Sequence, residues 1–376
     1  MRHFCNDILL TLQDEWRRVW HDEGVVLIVV FALFIYGVSY SLGYGGEVMR
    51  DIPIAVVGCG QDALSQELVE MFDASPELCV AYRVDDMASA ESLLRQRRVS
   101  GIVVLSPTLA SDVEAERQGR VAILGDASYF LSYRGVVEGA VATIQQKNGD
   151  IIEARSGEYS PSVIYRRSNL FNSGLGYGVF VMPAIILLIV QQTALIGIGM
   201  LSATRRERGE CYPSSSALAI TVGRTVVHLA IYALTLGFML TVHYSLFGYP
   251  MRGEWWECVA VILPYLLAVS LFAQMVGVWF RRRESSILWL LWLSIPFLLV
   301  SGVSLPKEAF PRWLYLLGRV VPSSSAVDCW IAVQSCGASL SDIGHELTLL
   351  WVLVVLYGAG AMLANRKGMG LSHQER

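Results

Sequence analysis

The stretch VVLIVVFALFIYGVSYSLG, Val25–Gly43, decides the fold. A helix needs about 20 apolar residues to cross the hydrocarbon core of a bilayer, and this run is close to that length. Five more such runs crowd into Leu175–Ala364, and a hydrophilic stretch from about Tyr44 to Asn172 separates them from the first. The expected plan is an α-helical polytopic membrane protein with six transmembrane helices and an extracytoplasmic α/β domain inserted after the first helix. Its parts are a cytoplasmic amphipathic interface helix (1–24), the first transmembrane helix (25–43), the α/β domain (44–172), a transmembrane domain (173–364) and a cytoplasmic tail (365–376). Within the transmembrane domain, residues at about 304–340 read as outer re-entrant or interfacial helices.

Composition agrees, with 54% hydrophobic and 16% charged residues against the roughly 25% charged of soluble domains. A net charge of −4 gives no reason to expect a nucleic-acid partner. Orientation follows from the short segments, where Arg and Lys favour the cytoplasmic side. With the N-terminus inside, the inner segments hold Arg2, Arg17, Arg18, Arg205, Arg206, Arg208, Arg281, Arg282, Arg283, Arg366, Lys367 and Arg376. The short outer segments hold only Arg252, Lys307, Arg312 and Arg319. Both ends are therefore expected in the cytoplasm. Asp22 and Glu23 abut the first run and no small-x-small cleavage pattern follows it, so it reads as a retained anchor rather than a signal peptide.

Ahead of that anchor, Phe4, Ile8, Leu12, Trp16 and Val19/Trp20 recur at helical spacing, with His3, Asp7, Gln13, Asp14, Arg17 and Arg18 on the other side. Such a helix is expected in the membrane interface. The hydrophilic stretch alternates strand and helix signals. Strands are expected at Ile52–Val57, Cys79–Val84, Gly101–Leu105 and Val121–Leu124. Helices are expected from Asp62 to about Phe72, at Asp86–Arg98, as a short one to about Gln118, and from about Tyr129 to Ala154. Alternating βα units imply a small sheet covered by helices.

Chemistry-bearing motifs are few. Seven irregularly spaced cysteines make no disulfide framework, although a Cys59–Cys79 bridge stays open. Lys147, Lys307 and Lys367 are the only lysines and none follows a glycine, so no Walker A phosphate loop is present. Inside the spans the informative groups are Gln191, Gln192 and Thr193 in the second, His228 in the third and Gln274 in the fourth. Polar groups at that depth face the bundle interior, a partner or a cavity. Either interhelical hydrogen bonds or a substrate path accounts for them. Gly174, Gly176 and Gly178 suit close helix packing, and Pro183, Pro264 and Pro296 suit kinks. After the fifth run, Ser301-Gly302 leads through Pro306, Pro311-Arg312-Trp313 and Val321-Pro322-Ser323 to Gly337-Ala338-Ser339-Leu340. Broken by prolines yet apolar, with Trp313 and Trp330 suited to the interface, it fits short helices tolerated only against protein or a water-filled cavity.

On these residues the chain resembles the permeases of the type-2 ABC exporters. Their pattern after the fifth span is a Ser-Gly, a proline, a Pro-x-Trp and a proline-led helix. The branch with a large outer domain shares Pro53-Ile54-Ala55-Val56-Val57, Leu64-Ser65-Gln66-Glu67-Leu68 and Asp126-Ala127-Ser128-Tyr129. The resemblance covers essentially the whole chain. One departure is the loop after the second span, where Arg205-Arg206-Glu207-Arg208-Gly209-Glu210 runs quickly to Pro213 and is shorter than the family's.

The resemblance implies a non-enzymatic subunit that pairs with a second permease, as homodimer or heterodimer, on two separate ABC ATPase subunits that bind ATP and Mg2+. It implies ATPase coupling through Phe4, Ile8, Leu12, Trp16 and Arg205–Glu210. It further implies a substrate path touching Gln191, Gln192, Thr193, His228, Gln274, Ser294 and Ser301, and an outer segment built on Ser301, Gly302, Pro306, Pro311, Trp313 and Pro322. A periplasmic adaptor is a further expected partner, and the bacterial inner membrane the expected location. The rival readings are a membrane-anchored ligand sensor, whose output module the short inner segments leave no room for, and an intramembrane transferase or hydrolase. The latter needs clustered ionisable groups, and the spans offer scattered His228 and glutamines.

Overall fold

A computed structural model describes residues 2–44, 50–58, 62–125, 130–156, 177–303 and 307–374. Cys59, Asp126, Ala127, Ser128, Tyr129, Gly174, Gly176, Ser304 and Pro306 lie outside them, and with Cys59 the bridge considered for Cys79. The chain divides into two compact units, Met1–Gly45 with Asn169–Arg376, and Gly46–Ser168.

The first unit is helical. Among the described residues, an N-terminal helix, Arg2–His21, precedes six helices long and apolar enough to cross a membrane: Glu23–Gly43, Val181–Glu207, Ala217–Phe247, Trp255–Gly277, Arg283–Val300 and Gly344–Arg366. We call these the first to sixth spans. Local chemistry starts several of them. Asp22 accepts the Val25 N–H at 3.1 Å before the first span, Ser216 caps the third, and Glu254 with Glu257 forms a capping box on the fourth, satisfying amides that a helix start leaves open. A left-handed Gly248 (φ +68°) ends the third. The first and third spans each contain a π-helical turn, Leu27–Phe31 and Met239–His243.

Prolines act differently by position. Pro183 and Pro264 lie within continuous helices. The fifth span instead breaks at Leu293, between Arg283–Trp292 and Ser294–Val300. Pro296 lacks an N–H and its ring crowds the carbonyl of Trp292, four residues earlier. Beyond it, Arg312–Val320 and Pro322–Cys336 meet at 88°, a corner set by Pro322 at the second helix's first turn. Within this segment Trp313 is exposed, but Trp330 is fully buried in the bundle core. The interfacial placement expected for Trp330 is therefore replaced by packing. The last helix runs on to Gln374, through the stretch read as a tail.

The second unit carries a four-stranded sheet of order β2-β1-β3-β4, with β1 Ile52–Val57, β2 Leu78–Val84, β3 Gly101–Leu105 and β4 Val121–Gly125. β1 pairs parallel with β2 and β3, while β4 runs antiparallel to β3. Four helices interleave: α1 Ala63–Asp73, α2 Met87–Arg95, α3 Leu109–Glu114 and α4 Phe130–Ser156. Asp62 and Asp86 cap α1 and α2 through the Ser65 and Ser89 amides, each at 2.8 Å. The unbroken apolar run of β1 follows from its central place, with Ile54 and Val56 packed on one face and Ala55 and Val57 on the other. Pro53 is tolerated because pairing with β3 begins one residue later, at Ile54 opposite Gly101.

A side chain at Gly101 would place its Cβ 2.5 Å from Val136 Cγ1 on α4. Gly101→Val is expected to destabilise this unit by about 1–3 kcal/mol through overpacking. Earlier proteolysis within Gly46–Ser168 in the intact protein would report it, and wild-type resistance would contradict it.

Candidate functional site

The N-terminal helix turns toward the bundle a face that contains its acidic residues. Thr11, Glu15 and Val19, spaced by one turn each, are buried, and Asp7, Asp14 and Arg18 flank them half-buried. Ile8 and Leu12 are half-buried as well. Phe4, Leu9, Trp16 and Trp20 are exposed, with the Trp16 and Trp20 rings 5.6 Å apart. The apolar stripe expected from spacing is split: Val19 is buried with Ile8 and Leu12 half-buried beside it, while Phe4, Trp16 and Trp20 stay exposed.

A buried carboxylate needs a partner, and Glu15 finds its partners on other spans. Its Oε1 accepts Arg224 Nε at 2.9 Å, and Arg205 stands 3.5 Å from its other oxygen. His228 Nε2 lies 3.3 Å from Oε1, without the angle of a hydrogen bond. Burial alone would raise the Glu15 carboxyl, but the Arg224 and Arg205 guanidiniums outweigh it and hold it below the usual carboxylate range.

Arg224 extends the network. It donates to Ser202 Oγ at 2.9 Å, to Tyr212 Oη at 3.1 Å and to Asn365 Oδ1 at 3.5 Å. Asn365 Nδ2 donates to Thr221 at 2.9 Å and to Gln274 Oε1 at 3.3 Å, and Gln274 donates to Thr225 at 2.8 Å. The N-terminal helix and the second, third, fourth and sixth spans thus meet in one hydrogen-bonded cluster.

Around it the charges balance. Asp14, Glu15 and Glu210 face Arg18, Arg205 and Arg224, with Asp14 bound by Arg205 at 2.6 Å and Arg18 paired to Glu210. Asp7 accepts from Ser214 at 3.0 Å at one end of the helix. At the other, Asp22 holds Arg283 of the fifth span at 2.5 Å. Steric fit closes the joint where Gly223 lets the N-terminal helix approach the third span, since a Cβ there would meet Thr11 at 2.9 Å and the Ile8 carbonyl at 3.1 Å.

The other residues singled out from sequence fall as follows. Arg206 bonds the Val278 and Phe280 carbonyls, and Glu207 accepts the Arg283 N–H at 2.9 Å. Arg208 and Gly209 are exposed. Gln191 is buried and accepts the Ser323 N–H at 2.9 Å, and Gln192 donates to the Leu290 carbonyl at 3.1 Å. Thr193 receives Tyr232 Oη at 3.2 Å. Ser294 and Ser301 bond carbonyls three residues earlier in their own span, of Leu291 at 2.6 Å and Leu298 at 2.7 Å. Gly302 takes φ +86° and Pro311 precedes the first corner helix. These groups do not meet at one place: Gln191 and Thr193 lie with Tyr232 and Ser323, while His228 and Gln274 belong to the Glu15 cluster.

Sequence reading names His228 and misses its two charged neighbours. The spans offer more than scattered His228 and glutamines, because Arg224 lies inside the third. Its signal was legible, since an ionisable residue within an apolar run calls for a partner. Glu15 gives no such signal, because it sits beside Trp16 in a segment where acidic residues are ordinary.

Comparison with known proteins places this architecture. Residues 24–363 match the model of the ABC-2 family transporter protein. The chain is 22% identical over 383 residues to the inner membrane transport permease YhhJ of Escherichia coli (strain K12), covering 98% of this chain and 99% of that one. It is 21% identical over 222 residues to the probable multidrug ABC transporter permease YbhR of the same organism, covering 58% and 60% of the two. With six apolar spans and a family match over nearly its whole length, this chain belongs to the ABC-2 transporter family, whose permeases generally work with ATPase subunits.

Proposed function

We propose that this chain is the membrane-spanning permease subunit of an ATP-driven exporter in the bacterial inner membrane, coupled to separate ATPase subunits that bind ATP and Mg2+. A second permease, identical or paralogous, completes the path. Both termini face the cytoplasm and residues 44–172 face outward, where a periplasmic adaptor is a further partner. The arginine asymmetry of the short segments supports that orientation.

The observation that carries the reading is the clamp between the N-terminal helix, the Arg205–Pro213 loop and the bundle. A helix tied by buried, charge-balanced contacts to four spans moves with them as one body. Displacement of the ATPases against its exposed Phe4, Leu9 and Trp16, or against exposed Arg208 and Gly209, is therefore passed to the spans. Arg205 acts inside this joint, while Arg206 and Glu207 fasten the loop to the segment before the fifth span. YbhR's designation as a probable multidrug permease fits an apolar, weakly polar path of this kind.

The test is purification of the protein from its native membrane in mild detergent, with every co-purifying chain identified. A Walker-A-bearing ATPase in about equal amount is expected beside a permease dimer. Its absence after gentle cross-linking removes the coupling argument and turns attention to a ligand-binding sensor.

A further inference from the structure

The second corner helix, Pro322–Cys336, begins in the interior of the bundle. Its first residues Pro322, Ser323 and Ser324 are buried, and no side chain of its own caps it. Gln191, near the middle of the second span, supplies the cap by accepting the Ser323 N–H at 2.9 Å. Gln191 and Ser323 are each 0% exposed.

That cap leaves two groups unused. Among the described residues, Gln191 Nε2 and Ser323 Oγ have no hydrogen-bond partner, although both sit at the helix start. A buried donor left unpaired costs about 1–3 kcal/mol, so two at one point need an explanation. A carboxamide NH2 only donates and a hydroxyl donates freely. A helix N-terminus adds roughly half a positive charge at the same place. Donors and dipole all ask for an acceptor. Half-helix N-termini at mid-membrane depth serve this purpose toward anionic groups.

Resting on the exporter reading, we propose that Gln191, Ser323 and the N-terminus of the Pro322–Cys336 helix form a subsite for the acidic head of an amphiphile, a phosphate or carboxylate on an apolar tail. The head displaces nothing from the existing cap, because Gln191 Oε1 keeps the Ser323 N–H while Nε2 and Oγ turn to the ligand. The same chemistry describes a transported solute and the head of a bilayer lipid.

The experiment uses the intact chain in phosphatidylcholine nanodiscs, with dodecyl phosphate, dodecyltrimethylammonium or dodecanol added below micellar concentration. Binding is read as the shift in unfolding temperature. In parallel, ATP hydrolysis is read on the complex with its co-purified ATPase. Wild type should respond to dodecyl phosphate at the lowest concentration. Gln191→Glu keeps the cap, removes the NH2 and adds a like charge, so the midpoint for dodecyl phosphate should rise about tenfold or more, with dodecanol unaffected. Ser323→Ala should raise it by a smaller factor, and this variant carries the test if Gln191→Glu does not fold.

Adding phosphatidylglycerol to the discs separates the sources. Competition with dodecyl phosphate assigns the site to a lipid head, and lack of competition assigns it to a solute. Equal response to the three heads, or both variants binding dodecyl phosphate as wild type does, overturns the subsite and leaves a capping role filled by ordered water. Because binding is read on the permease alone, absence of an ATPase sinks the exporter reading without deciding this one.

Discussion

Glu15→Ala is expected to destabilise the helical unit by about 3–5 kcal/mol, the range found when one partner of a buried ion pair is removed. Arg224 would keep its bonds to Ser202, Tyr212 and Asn365 but lose the carboxylate 2.9 Å from its Nε. Asp14 cannot replace it, being already bound to Arg205 and Arg18. The double variant Glu15→Leu/Arg224→Met should recover most of the loss, since apolar replacement of a buried pair is often neutral. Thermal unfolding of the purified protein in detergent reads both. A single variant as stable as wild type would show that the cluster contributes nothing.

The same residue sets a pH window. The Glu15 carboxyl titrates lower in the folded protein than in the unfolded chain, despite its burial, because Arg224 and Arg205 favour its charged form. Its contribution is therefore complete above the ordinary carboxylate range and is lost as the pH falls through the folded value. The difference in stability between wild type and Glu15→Ala should be flat from about pH 6 to 8 and shrink only in acid below the usual carboxylate range of about 4.

On the proposed exporter reading, Gly223→Val should separate ATP hydrolysis from transport. Its Cβ would meet Thr11 at 2.9 Å and the Ile8 carbonyl at 3.1 Å, and a backbone carbonyl has no rotamer by which to yield. Overpacking of this kind costs about 1–3 kcal/mol, and the simplest relief moves the N-terminal helix off the third span. That takes Glu15 away from Arg224 and loosens the clamp. Transport per ATP hydrolysed, measured in proteoliposomes of the complex, should fall in the order Gly, Ala, Val. Undiminished transport by the Val variant would show that contact at this position plays no part in coupling.

The two predictions rest on features of different legibility. Apolar length alone separates the six spans from the α/β unit, because transfer out of water is a property of each segment by itself. Caps are equally local: Asp62 and Asp86 each bond an amide three residues on. The corner after the fifth span is legible from Pro311 and Pro322, whose fixed backbone admits few continuations. The burial of Trp330 is not, since an indole suits an interface or a core and only its neighbours decide.

Glu15 and Arg224 lie 209 residues apart, and Gln191 and Ser323 132. No periodicity links such pairs. Helical spacing showed that the N-terminal helix has two faces, and it assigned the apolar one to the membrane interface and left the other to water. In the folded chain the acidic face has a better alternative, a set of guanidiniums delivered by other spans. The sequence by itself determined which segments leave water, where helices start and that the family is ABC-2. Only the tertiary structure decided which polar groups meet, because the free energy of a buried charge belongs to the partners brought around it and not to the segment that carries it.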